Sequence, residues 1–342
     1  MSIQIIAEDL EEIKLDTLYG TGEILTDTRE NGKERPWQQH KINSLKLYTL
    51  YQEAKEIDEM VISDSRLQSL KECADSLLFE INTEQKKRLK SANFCRLRTC
   101  PTCNWRKSLK LFGQVNVIAD RVLKDSPTTR FIFATFTVRN CSANELTDCL
   151  NSMNEAFKYL TAKSRRFIAS AGFKQNLLGY MKAIEITYNS KEDTYHPHFH
   201  CIFAVKAGYF TKGYIKKSEW QNIWQQCMKL DYEPIVHVET IKGGTARAVA
   251  EVAKYPIKMD ELANLPNKAR AISALITYTK VLRGRRLITF GGIFADVKKI
   301  LKLEDIDKSD LIHIDDAAEK NGFNPVVQVL YKFNAKVGCY IC

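Results

Sequence analysis

Residues Met181–Val205 read MKAIEITYNSKEDTYHPHFHCIFAV. MKAIEITYN (Met181–Asn189) predicts a strand, SKEDTY a polar turn, and HPHFHCIFAV (His196–Val205) a second strand. Two strands joined by a short polar turn form an antiparallel hairpin. Successive side chains of a strand point to opposite faces. His196, His198 and His200 therefore share one face, and Phe199, Cys201 and Phe203 turn to the other. Three of the six histidines of the chain lie in these five residues.

Imidazoles two apart on one face can chelate a single divalent ion. A turn centred between Glu192 and Asp193 sets residue 185 opposite residue 200. Glu185 then joins the histidine face beside His200. Two imidazoles and a carboxylate with open positions suit Mg²⁺ or Mn²⁺ acting on phosphate, and would also accept Zn²⁺.

Outward from the hairpin, FIFATFTV (Phe131–Val138) is short, aromatic and β-branched, and predicts a buried strand. Apolar residues at helical spacing predict helices over Asn43–Lys55, Ser108–Lys124, Ser142–Thr161 and about Ser218–Lys229. The third of these opens on Ser142 with Glu145 three residues on, a capping-box pattern. A short strand is expected around Ile235–Thr240. Thr28–Lys41 carries breakers without periodicity and predicts a loop. The region after Lys258 looks helical and basic, with Lys280, Arg283, Arg285 and Arg286. Strands separated by helices, with hairpin pairing, predict an α+β fold: an antiparallel sheet with packed helices. Four regions are expected. Residues 1–70 have no assigned role, 71–110 form a Cys-rich basic zinc module, 111–260 a core domain, and 261–342 a helical basic extension.

Composition narrows the function. Lys and Arg number 51 against 41 Asp and Glu, a net charge of +10, which favours a polyanionic partner and first of all nucleic acid. No apolar run approaches the roughly 18–20 residues of a membrane span. The N-terminus turns acidic too early for a signal peptide. A cytoplasmic protein without a membrane partner is expected, in which ten cysteines are metal ligands or reduced thiols rather than disulfides. No Gly-x4-Gly-Lys-Ser/Thr motif occurs, which argues against a fused helicase.

Cysteines and cations concentrate together. Between Glu84 and Lys110 nine residues are Lys or Arg and one is acidic. Cys100-Pro-Thr-Cys103 is a knuckle, with Cys95 and Cys73 upstream; four thiolates complete a tetrahedral structural Zn²⁺ site. Cys339-Tyr-Ile-Cys342 is a competing pair of ligands. Arg96, Arg98, Trp105, Arg106 and Lys107 suit phosphate contact and base stacking. Further along, GGTARAVAEVAKYPIK (Gly243–Lys258) predicts a helix ended by Pro256. Glu251 and Tyr255 lie one turn apart on it, with Lys258 just beyond. A phenol can attack a DNA phosphate, a lysine can stabilise the developing charge, and a carboxylate can activate water.

Three segments together resemble plasmid rolling-circle replication initiators. FATFTVRN (Phe133–Asn140) is similar to their first motif, HPHFH (His196–His200) to their His-hydrophobe-His motif, and EVAKYPIK (Glu251–Lys258) to their tyrosine motif. Order and spacing agree, and the likeness is greatest to the single-tyrosine branch of Gram-positive plasmids. NFCRLRTCPTCNWRKSLK (Asn93–Lys110) looks like the family's cysteine-rich segment. The resemblance implies a His-hydrophobe-His endonuclease fold that nicks one strand at a plasmid double-strand origin. Tyr255 would attack, keep the 5′ phosphate and free a 3′-OH primer. His198 and His200 would hold the cation, His196 standing first in the motif. Glu251 occupies the position of a glutamate that directs water to end the round. Thr135 and Thr137 would only scaffold the histidine strands. Origin DNA, single-stranded at the nick, would be the substrate, and host helicase and DNA polymerase the partners. A non-catalytic zinc-containing DNA-binding regulator, and a relaxase or single-tyrosine transposase, remain alternatives at this point.

Overall fold

A computed structural model describes residues 17–18, 20–29, 32–162, 171–241, 249, 258–314 and 323–342. Its elements in chain order are β1 (Thr17–Leu18), α1 (Trp37–Ile57), α2 (Asp64–Lys71), β2 (Ser76–Asn82), β3 (Lys87–Ala92), α3 (Pro101–Asp125), β4 (Arg130–Thr137), α4 (Leu146–Thr161), α5 (Ala171–Asn176), β5 (Leu177–Asn189), β6 (Thr194–Val205), α6 (Lys217–Met228), β7 (Val236–Thr240), α7 (Met259–Ala263), α8 (Lys268–Leu282), β8 (Ile288–Gly292), α9 (Ile293–Ile300), β9 (Pro325–Asn334) and β10 (Cys339–Ile341). The expected α+β class holds, with two sheets rather than one. Among the described residues no helix is long and apolar enough to cross a membrane.

The chain forms two compact units. The first comprises residues 1–110, 259–276 and 306–342; the second, residues 111–258 and 277–305. The cysteine segment is thus part of a larger unit. Residues 261–342, expected to be helical, also supply β8, β9 and β10.

In the first unit, the sheet order is β1-β9-β2-β3, with β10 on β9; β1 runs parallel to β9 and the other pairs are antiparallel. Leu77, Phe79 and Ile81 alternate inward along β2 and meet Leu89, Val329, Tyr331, Tyr340 and Trp37 in one core. Leu47, Leu50, Tyr51 and Ala54 are the buried stripe of α1, at the spacing of one helix face. That helix starts at Trp37, inside the tract expected to be a loop. Its polar first turns are buried by partners far away in sequence. Lys41 is fully buried, donating to the carbonyls of Lys71 (2.7 Å) and Cys73 (3.0 Å) and pairing with Asp75.

In the second unit an antiparallel sheet has the order β7-β4-β6-β5-β8. Helices α4 and α6 cover one face. Phe157 of α4 and Trp220 and Trp224 of α6 pack on Phe199, Phe203 and Phe136. Ser142 donates its N–H and its hydroxyl to the Glu145 carboxylate (2.9 and 2.7 Å), as the capping pattern suggested, although α4 itself begins at Leu146. The apolar residues at alternate positions of β6 anchor this face, and the pleat turns His198 and His200 to the other.

The β5–β6 hairpin differs from the expected register by one pair. Asn189 faces Thr194, so the turn is the four residues 190–193, and Glu185 lies opposite His198 rather than His200. Asp193 takes a left-handed conformation (φ 57°), which closes this longer loop. A shift of two preserves the face, so Glu185 stays among the histidines.

Candidate metal centres and their relation to known proteins

Glu185, His198 and His200 converge on the sheet face opposite α4 and α6, largely buried, with their nearest ligand atoms all within 4.8 Å of one another. Glu185 Oε2 lies 2.8 Å from His200 Nε2 and 3.3 Å from His198 Nε2. Ligands at adjacent corners of an octahedron with bonds of about 2.1 Å stand about 3.0 Å apart, so the three groups are spaced to share one cation. Burial opposes ionisation of Glu185, but hydrogen bonds from His198 and His200, and their charge, outweigh it. The carboxyl is held well below its ordinary range.

Both rings are oriented from behind. His198 Nδ1 donates to the His196 carbonyl (3.2 Å), and His200 Nδ1 sits 3.1 Å from Thr135 Oγ1. With a cation bound and the protons kept on Nδ1, both Nε2 lone pairs would point at it, the usual arrangement behind metal-binding histidines. Phe133 stacks on His200 with 5.7 Å between ring centroids. Thr135, read from sequence as scaffold alone, therefore touches a candidate ligand.

His196 stands apart from this trio. Its Nδ1 is 3.0 Å from Asn140 Oδ1, and its ring is 5.4 Å from that of His198. Burial, then the neighbouring His198 charge, push its imidazole down, favouring the neutral form. Asn140 was quoted in the first motif without a role; its pairing with His196 links the first and second motifs through space. Glu251 and Tyr255 lie outside the described residues. Lys258 is exposed, immediately before α7.

The second candidate centre is in the first unit. Cys73, Cys95, Cys100 and Cys103 are all buried, with sulfur atoms within 4.8 Å of one another. Sγ–Sγ separations are 3.6 Å for Cys73–Cys103, 3.7 Å for Cys95–Cys103 and 3.6 Å for Cys73–Cys100. Tetrahedral Zn²⁺ with Zn–S bonds of about 2.3 Å has edges of about 3.8 Å. The four sulfurs therefore fit such an ion, and Cys339 and Cys342 are outside the group. Further donors face the sulfurs: Cys95 N–H to Cys73 (3.4 Å), Arg96 N–H to Cys103 (3.2 Å) and the Ser44 hydroxyl near Cys100 (3.5 Å). The left-handed backbone of Arg96 (φ 58°) turns its N–H inward. Burial opposes ionisation of Cys100, but hydrogen bonds from Cys103, Cys73, Cys95 and Ser44 outweigh it and favour the thiolate. Pro101 opens α3 where a missing N–H costs nothing, carrying Cys103 into the first turn.

Several of the cations around this knuckle have partners inside the protein. Arg106 is 2% exposed; it donates to the carbonyls of Leu311 and Ile312 (both 2.8 Å) and lies over Trp37 and Trp105. Lys107 is 1% exposed and pairs with Asp307 at 3.1 Å, which Arg98 also engages at 2.8 Å. Arg96 donates to the carbonyls of Lys308 and Ser309. Trp105 is buried between Trp37 and His40. These residues clamp the segment 307–312, and their sequence neighbours gave no sign of partners some two hundred positions away.

The replication protein family matches residues 86–341, three quarters of the chain. A protein named "Protein rep" from Streptococcus pneumoniae serotype 2 is 34% identical over 86% of this chain and 88% of its own length. "Protein rep" from Lentilactobacillus hilgardii is 36% identical and that from Bacillus amyloliquefaciens 33%, each over 86% of this chain and 90% of the relative. The chain belongs to the replication protein family. This agrees with the resemblance carried by the three short motifs. No solved structure matches the chain.

Proposed function

We propose that this protein initiates plasmid replication by nicking one strand of the origin through a tyrosine, as a single-tyrosine member of the His-hydrophobe-His endonucleases. The observation that carries the reading is the convergence of Glu185, His198 and His200 on one sheet face. Mg²⁺ or Mn²⁺ held there supplies polarisation of a phosphate oxygen and neutralises developing charge.

The chain's own residues do the rest. The Tyr255 phenolate attacks phosphorus, the bond to the 3′ oxygen breaks, and that oxygen leaves as the 3′-OH primer. Tyr255 keeps the 5′ phosphate as an ester. Lys258 stabilises charge on the transferring phosphate or lowers the phenol pKa. Glu251 takes a proton from the water that later hydrolyses the ester, ending the round without a second tyrosine. Zn²⁺ is the ion we assign to the four cysteines, in a structural role. Origin DNA, single-stranded at the nick, is the substrate; host helicase unwinds the duplex and DNA polymerase extends the primer in the cytoplasm.

The test uses labelled single-stranded oligonucleotides tiled across the DNA flanking the coding sequence, incubated with Mn²⁺. A covalent 5′ adduct forms, maps to Tyr255 and is lost in Tyr255→Phe. Cleavage undiminished in that variant defeats the assignment. In Glu251→Ala nicking persists while release of the adduct by water slows.

A further inference from the structure

We propose that Arg286 is a phosphate-contacting residue of the Glu185–His198–His200 site, gripping the DNA strand beside the scissile phosphate. The inference rests on the nicking function proposed above and adds a residue that none of the three motifs contains.

Its position follows from the sheet edge. Helix α8 ends at Leu282, and the left-handed backbone of Gly284 just beyond it (φ 69°) turns the chain toward β5. Strand β8 then pairs antiparallel with β5, from Gly179–Gly292 to Ala183–Ile288. The ladder runs on past the strand: the Ile184 N–H donates to the Leu287 carbonyl at 2.9 Å. One step further in this register, Arg286 comes level with Glu185.

The face follows from its neighbours. Leu287 is 3% exposed. Arg285 donates to Asn151 of α4 (3.1 Å), so it lies on the helix-covered side of the sheet. Continuing the alternation of β8 back through Leu287, which is bonded to Ile184, sets Arg286 on the face that carries Glu185. Adjacent strands are about 4.8 Å apart, within the span of an arginine side chain.

Charge then decides what Arg286 is for. It is exposed and has no hydrogen-bond or ion-pair partner among the described residues. Glu185, its neighbour across the ladder, is already engaged by both imidazoles. An exposed arginine level with a cation-binding site, whose carboxylate is taken by the imidazoles, presents a guanidinium fork to an anion from outside. The fork matches two oxygens of a phosphodiester.

The experiment uses the whole protein in wild-type, Arg286→Ala and Arg286→Lys forms. The first readout is binding of a fluorescein-labelled single-stranded DNA of mixed sequence over a salt series. One lost phosphate contact lowers the slope of log affinity against log salt by roughly 0.7. Arg286→Ala shows that loss and Arg286→Lys recovers most of the slope. A wild-type slope in Arg286→Ala overturns the proposal. The second readout is Mn²⁺-dependent nicking of the tiled oligonucleotides, which falls roughly ten- to a hundredfold in Arg286→Ala and is partly restored in Arg286→Lys. Nicking at the wild-type rate in Arg286→Ala overturns it too. A wild-type protein that never nicks, yet loses slope in Arg286→Ala, defeats the nicking function and leaves the phosphate contact standing.

Discussion

Thr135 Oγ1 stands 3.1 Å behind His200 Nδ1, on the far side of the ring from Glu185. The contact ties β4 to the ligand set on β5 and β6. Removing the hydroxyl while keeping the β-branched shape isolates its effect. Thr135→Val is expected to bind Mn²⁺ between about ten- and a hundredfold more weakly, the usual cost of losing such a supporting group, with the melting temperature little changed. Titration of Mn²⁺ by calorimetry checks it, and unchanged affinity would remove Thr135 from the site.

Glu185 supplies the one anionic ligand of the trio. Glu185→Ala is expected to abolish measurable Mn²⁺ binding at the second unit and to reduce nicking at least a hundredfold. Glu185→Gln keeps the size and loses the charge, and is expected to be nearly as impaired. Electron paramagnetic resonance of bound Mn²⁺ reads both, and a Glu185→Ala protein with wild-type Mn²⁺ stoichiometry contradicts the shared-cation geometry.

Four buried sulfurs at tetrahedral spacing predict one tightly held Zn²⁺ per chain. Elemental analysis of the purified protein checks the stoichiometry. Cys100→Ala is expected to lose the ion and to lower the stability of the first unit by several kcal/mol, since structural zinc sites contribute directly to folding. Cys339→Ala and Cys342→Ala are expected to retain it, because those residues lie outside the group.

Lys182 predicts a pH dependence. It is 5% exposed, its ammonium lies over Phe157 and Phe199, and it donates to Asn154 Oδ1. Burial pushes its pKa down from 10.5 to about 8. Below pH 8 the lysine is charged in both folded and unfolded chains, and the fold bears the full penalty, roughly 3 kcal/mol. Between about pH 8 and 10.5 the folded state sheds the proton first and the penalty is relieved. Lys182→Met is therefore expected to be more stable than wild type at pH 7, and its advantage to shrink toward pH 10.5. Urea unfolding at the two pH values decides; a constant difference would mean the charge is not the cause.

The histidine strand shows how far pattern alone reaches. The pleat assigned His198, His200 and Glu185 to one face, because a face depends only on odd or even position. The pairing partner of Glu185 depended on the turn, and the left-handed Asp193 moved it by one pair. The four-cysteine group was legible because its members are close in sequence. The internal partners of the basic residues beside it were not legible, for the converse reason. Nothing local to Arg106 or Lys107 announces that Leu311 and Asp307 will bury and satisfy them. The same gap hid α1's start at Trp37, where Lys41 is satisfied by carbonyls thirty residues away.

The strand order β1-β9-β2-β3 has a consequence for biosynthesis. β9 sits between β1 and β2 but leaves the ribosome after both, and after the whole second unit. Until it arrives, β2 presents an unpaired edge with Leu77, Phe79 and Ile81 lining the unfinished core. Open apolar edges template aggregation. The nascent first unit would therefore need shielding by a chaperone for the time taken to translate some two hundred and forty further residues, and a stop codon ahead of Pro325 would yield a sticky, insoluble product rather than a smaller folded protein.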